Sequence, residues 1–137
     1  MTEHDNSIPS EQFALPPHSV TAGTIYPDGW CVPYLGIDFP DLRGLVRIDV
    51  EFWNPPMSDV DPNDVVIRAN HRGIGAFRDL SPEQIESVQH EMIVGEGGLF
   101  LSIRSAGRRL PSATDIRPLA LIIRRLSVEQ ISEQASR

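Results

Sequence analysis

Between Leu45 and Trp53 the chain reads LVRIDVEFW, and apolar residues alternate with charged ones: Val46, Ile48, Val50 and Phe52 against Arg47, Asp49 and Glu51. Successive side chains of a strand point to opposite faces, so this period of two predicts a strand with one apolar face. Asn54-Pro55-Pro56 ends it. DVVIRANHR, residues 64–72, predicts a second strand, which GIGAF (73–77) extends after a turn or bulge. LFLSIRS, residues 99–105, alternates again and follows the turn-forming GEGG.

Two stretches need a choice between periods. SPEQIESVQHEMIV opens with Ser81, Pro82 and Gln84, which resembles a capping box, while Val88, His90, Met92 and Val94 alternate. A single helical turn over residues 82–85 followed by a strand satisfies both signals. TDIRPLALIIRRLSV, residues 114–128, carries a long apolar run that is too short to span a membrane. Pro118 suits the start of a strand and would break a helix. The run predicts a central strand buried on both faces, with Arg124 and Arg125 marking where it leaves the core. Asp115 and Arg117 lie two apart on one side and are placed to pair. With shorter pieces near HSVTAGTIY and WCVPY, this gives about seven or eight short strands. The pattern is that of an all-β, antiparallel, jelly-roll-like β-sandwich. Residues 18–129 form the domain, with a flexible arm at 1–17 and a polar tail at 130–137.

Charge and composition narrow the function. The 137 residues carry a formal charge of −7, and every basic residue other than histidine is arginine. An acidic surface predicts no nucleic-acid partner. The lack of lysine removes Schiff-base and Walker-type chemistry. MTEHDNSIPSEQF has neither the basic nor the apolar region of a signal peptide, and no apolar stretch is long enough for membrane insertion. The single cysteine, Cys31, permits no disulfide within the chain. These features predict a soluble, cytoplasmic protein.

The layout is similar to a known group. GTIYPDGWCVPYLG, from Gly23 to Gly36, resembles an opening motif of Gly, an aromatic, an acidic residue, then Gly and Trp. SATDIRPLALIIRRLSV resembles a closing Ser-(x)-Asp-x-Arg-x-Leu-(Gly/Ala)-Leu strand. The group is the small carbohydrate-binding-like β-sandwich domains attached to, or encoded beside, glycosyltransferases in bacterial surface-polysaccharide biosynthesis. The likeness spans about residues 20–128. It implies a non-catalytic module that binds glycan or docks onto a glycosyltransferase-type protein partner. The alternative is a protein-interaction or structural module that forms a homo-oligomer or holds a partner through its sheet surfaces.

Trp30 and Tyr34, with Tyr26 and Trp53, are candidates for sugar contact, because sugar rings stack their C–H faces on aromatics. Asp28 and Asp38, close in sequence, would accept hydrogen bonds from hydroxyls. Against this stands the plainer reading that Trp30 and Trp53 fill the sandwich core. No cofactor is expected. DVDPND, Asp59–Asp64, offers oxygens at alternating positions of a calcium loop but lacks its glycine and its glutamate, so calcium is possible only as a weakly supported exception. His4, His18, His71 and His90 show no metal spacing. Paired carboxylates for glycoside cleavage could be drawn from Asp49, Glu51 or Asp59, but Asp49 and Glu51 lie on the polar face of a strand, where solvated charges belong. The sequence therefore does not call for an enzyme.

Overall fold

The computed structural model describes residues 13, 15–56, 58–110, 112 and 114–132. Among them nine strands form two antiparallel sheets: β1 (Ser19–Ala22), β2 (Trp30–Cys31), β3 (Tyr34–Phe39), β4 (Gly44–Trp53), β5 (Asn63–Ala69), β6 (Arg72–Leu80), β7 (Ile85–Val94), β8 (Leu99–Ser105) and β9 (Leu121–Ser132). One sheet has the order β2-β9-β4-β7 and the other β1-β3-β8-β5-β6. With β1 set aside as an added edge strand, this interleaving is the double Greek key of a jelly roll. The expected all-β sandwich is the fold.

Alternation does what the sequence says it should. Val46, Ile48, Val50 and Phe52 of β4 turn inward, against Leu35, Ile37 and Phe39 of β3, Val65 and Ile67 of β5, and Leu99, Leu101 and Ile103 of β8, all buried. Each such side chain contributes roughly 1.5–3 kcal/mol by leaving water. Phe13 is buried in the same core and Leu15 packs against it, so these two residues of the expected arm belong to the domain. Residues 1–12 and 14, the rest of that arm except Pro16 and Pro17, lie outside the described residues, as do 133–137 of the expected tail. Residues 130–132 of that tail are the end of β9.

Several local expectations are corrected. Residues 64–72 are not one strand: β5 ends at Ala69, and Asn70 and His71, with φ of 50° and 68°, make a two-residue hairpin turn into β6. No helical turn forms at 82–85. Ser81–Gln84 is a turn in which the Ser81 amide donates to the Gln84 side-chain oxygen at 2.9 Å. The capping bond is thus made without a helix, because Glu83 adopts φ 68° and turns the chain into β7.

β9 is central but buried on one face only. Leu121, Ile123, Leu126 and Val128 point inward, while Ile122 and Ser127 are half-buried on the outer face. Arg124 and Arg125 do not end it. They sit at a bulge: Phe52 pairs with Ile123 and Glu51 with Arg125, leaving Arg124 as the extra residue.

Candidate functional site

WCVPY supplies two strands in different sheets. Trp30–Cys31 pairs with Ile122 and Leu121 of β9, and after Val32-Pro33 the chain crosses to the other sheet, where Tyr34 pairs with Arg104. This crossing divides the candidate residues. Tyr34 stacks against the Arg104 guanidinium, 5.2 Å from ring centre to Cζ, and Asp38 pairs with Phe100, both on the outer face of the β3 sheet. Tyr26, Asp28, Trp30 and Trp53 lie together on the other side. The expected patch over residues 26–38 is therefore two separate surfaces.

On the β2 side, one row runs across the outer face of the sheet. Trp30 pairs with Ile122, Ile122 with Trp53, and Trp53 with Ile85. Inward neighbours of these residues, such as Cys31, Phe52 and Ile123, fill the core, so the pleat obliges both tryptophans to face out. Core packing of Trp30 and Trp53 is thus not their role: both are half-buried. Their rings meet edge to face over the row, 6.1 Å between centres and 79° between planes.

A charged collar surrounds Trp30. Tyr26-Pro27-Asp28-Gly29 is a turn closed by the Gly29 amide donating to the Tyr26 carbonyl at 2.9 Å. Gly29 has φ +91°, and a Cβ there would lie 3.0 Å from the Ile123 carbonyl oxygen, so the turn needs glycine. It presents Asp28 to the β8–β9 connection. Arg117 donates from Nε and Nη2 to both Asp115 oxygens (2.9 and 2.7 Å) and from Nη2 to Asp28 (3.1 Å), and its Cζ lies 4.7 Å from the Tyr26 ring centre. Arg109 lies over Trp30 at 5.1 Å and pairs with Asp115 at 3.3 Å. The hydrogen bonds from Arg117 hold the Asp115 carboxyl well below the usual range, and Asp115 and then Asp28 hold Arg117 above its own. The expected pairing of Asp115 with Arg117 is present, with Arg109 and Asp28 added.

This corner is tied down from behind. Asn63, buried, donates to Asn54 Oδ1 (3.0 Å) and Ser105 Oγ (2.9 Å) and accepts from the Gly107 amide (2.8 Å). Asn54 follows Trp53 directly and donates to the Ser81 carbonyl at 2.9 Å. These bonds fix the strand end that carries Trp53 and the start of the connection that carries Arg109.

Other candidates are engaged elsewhere. Asp59 accepts from the Arg108 amide (2.9 Å) and Asp64 from the Asp79 amide (3.0 Å), and Asn63 is committed to the buried network. Among the described residues no group of three or more His, Cys, Asp or Glu side chains converges as a metal site would. Asp49 and Glu51 each meet Arg125 at 3.0 Å, and Glu51 also meets Arg124 at 3.4 Å. Cys31 is buried, and burial pushes its thiol up to about 12. Among the described residues no helix is long and apolar enough to cross a membrane.

Sequence reasoning missed Arg109 and Ile122 as partners of the tryptophans. Ile122 was findable, since it alternates with buried Leu121 and Ile123. Arg109 was not, because only the folded connection brings it over Trp30. No family model and no curated protein matches the chain.

Proposed function

We propose that the protein is a non-catalytic binding module whose ligand is a glycan, held at the corner formed by Trp30, Trp53, Tyr26 and Asp28. The observation that carries this reading is the pair of tryptophans on the outer sheet face, where the pleat withholds them from the core and Asn54 and Asn63 hold their support rigid. Rigid aromatic platforms beside charged hydrogen-bonding groups suit sugars, whose C–H faces stack and whose hydroxyls donate and accept. Asp28, half exposed, offers an acceptor, and the guanidinium of Arg117 offers donors. The resemblance to polysaccharide-associated sandwich domains supports the same ligand class.

The test is a glycan array with wild type beside Trp53→Ala, Trp30→Ala and Tyr34→Ala, all confirmed as folded by circular dichroism. Loss of binding by about tenfold or more is expected for either tryptophan variant, and retention for Tyr34→Ala, which lies on the other sheet. A wild type that binds nothing on a broad array, or a signal that only Tyr34→Ala removes, overturns the reading.

A second reading has one observation in its favour. Leu110 and Ile116 stand exposed, Ile116 at 81%, next to Arg109 and Arg117. Trp, Tyr and Arg are the residue types enriched in protein-binding hot spots, and the exposed aliphatic residues beside them widen the apolar surface a partner would cover. On that reading the same corner docks onto a protein, and Ile116→Asp weakens the complex.

A further inference from the structure

Each sheet of an open sandwich ends in strands whose outer backbone groups have no partner, and three of the four edges here are guarded. β1 has four residues and a register break between Val20 and Ala22. β2 has two residues. β6 carries an extra residue at each of two places, opposite Asn63–Val65 and opposite Ile67–Arg68, so its edge is kinked. Short strands and bulges are the usual ways of stopping one sheet from adding to another.

β7 has neither guard. It runs ten residues, Ile85–Val94, and pairs with β4 in unbroken register from Trp53–Ile85 to Gly44–Val94. Among the described residues it pairs with no other strand. It contains no proline, and the chain has no lysine to place there. Its outward side chains include Ile85 and Ile93, both large, apolar and exposed, at 45% and 42%.

We propose that β7 is the interface with a second copy of this chain, joined edge to edge and antiparallel about a twofold axis at Gln89. Its sequence is complementary to itself in that register. On the outer face, Ile85 meets the partner's Ile93, Ser87 meets the partner's Glu91, and Gln89 meets the partner's Gln89. On the inner face, Glu86 meets the partner's Met92 and Val88 meets the partner's His90. The two exposed isoleucines cover each other twice over, and no carboxylate faces a carboxylate. Glu91 is already neutralised by Arg47 at 2.8 Å. The union completes the backbone bonding of both edges and makes one eight-stranded sheet from two copies of the four-stranded one.

Sedimentation velocity on the full chain tests this through surface positions that leave folding intact. Wild type is expected to reach the mass of two chains as concentration rises. Ile85→Lys with Ile93→Lys sets lysine against lysine and weakens association by more than about tenfold. Ile85→Lys with Ile93→Glu sets opposite charges together and restores it. The register is read separately by cross-linking. Gln89→Cys should form a dimer disulfide under mild oxidant, since paired residues there come within about 4.5–5.5 Å. Ser87→Cys, which faces the partner's Glu91, should not. Buried Cys31 does not compete. A wild type that stays monomeric up to about 1 mM overturns the proposal. So does association that the double-lysine variant leaves unchanged, or equal cross-linking at residues 87 and 89.

Discussion

The two edges of the β2-β9-β4-β7 sheet handle the same problem in opposite ways. At one, the strand is cut to two residues, and the β8–β9 connection lays Arg109 and Arg117 against the aromatic rings, locked by Asp28 and Asp115. At the other, a ten-residue strand in unbroken register has no strand paired to its outer side among the described residues. The first edge presents side chains held in fixed positions, as the proposed ligand site requires. The second presents a backbone in unbroken register, as the proposed strand addition requires. The difference teaches that the two proposed contacts would divide by chemistry: aromatic and charged groups at the β2 corner, hydrogen-bonding main chain at β7.

Several substitutions break or sharpen this contrast. The largest effect is expected from Asn63→Ala, which leaves Asn54, Ser105 and the Gly107 amide short of their buried partner. Urea unfolding should show a loss of about 2–4 kcal/mol, and glycan affinity should fall with it while β7 association persists in the folded fraction. Gly29→Ala comes next. It forces a side chain into φ +91° and against the Ile123 carbonyl, and should cost about 1–3 kcal/mol by the same assay.

Asp115→Asn acts through pH. The folded pKa of Asp115 is depressed, chiefly by the hydrogen bonds from Arg117. Its stabilising contribution is therefore complete above the ordinary carboxylate pKa of about 3.9 and is lost as pH falls. Wild type should exceed Asp115→Asn in urea midpoint by a constant amount at neutral pH, and the gap should shrink below about pH 4. A gap that does not change between pH 7 and pH 3 would show that the carboxylate does not hold the collar. The smallest effect is expected at the bare edge. Ile93→Lys at a concentration where the chain is monomeric should change stability by less than about 0.5 kcal/mol, because the residue packs against little.

How far the sequence revealed all this depended on whether a signal was local. The alternation of β4 and β8 is local, and it gave the strands, their inward faces and the sandwich. Asn70-His71 hid a hairpin, since a two-residue turn of this kind is usually marked by glycine at its second position and here carries histidine. Ser81 and Gln84 made a genuine capping bond that looked like a helix start, yet tertiary pairing of β7 with β4 took the following residues. The site was half legible. Trp30, Trp53, Tyr26 and Asp28 were named and do meet. Tyr34 and Asp38 were also named and do not, because Val32-Pro33 carries the chain between sheets, and spacing along the chain cannot reveal such a crossing. The roles of Arg109 and of the Asn54–Asn63 network depend on residues brought together from far apart in sequence.

The most direct test of the central claim uses the two tryptophans themselves, since both lie on the proposed binding corner and the chain has no others. Their indole N–H signals can be followed by ¹⁵N–¹H NMR as the best-binding oligosaccharide of the array is added to wild type. Both signals should shift in step with binding, while amides of β3 around Tyr34 and Asp38 stay in place. Binding that leaves both indole signals unmoved, or an array that offers no ligand at all, would contradict a glycan site at Trp30 and Trp53.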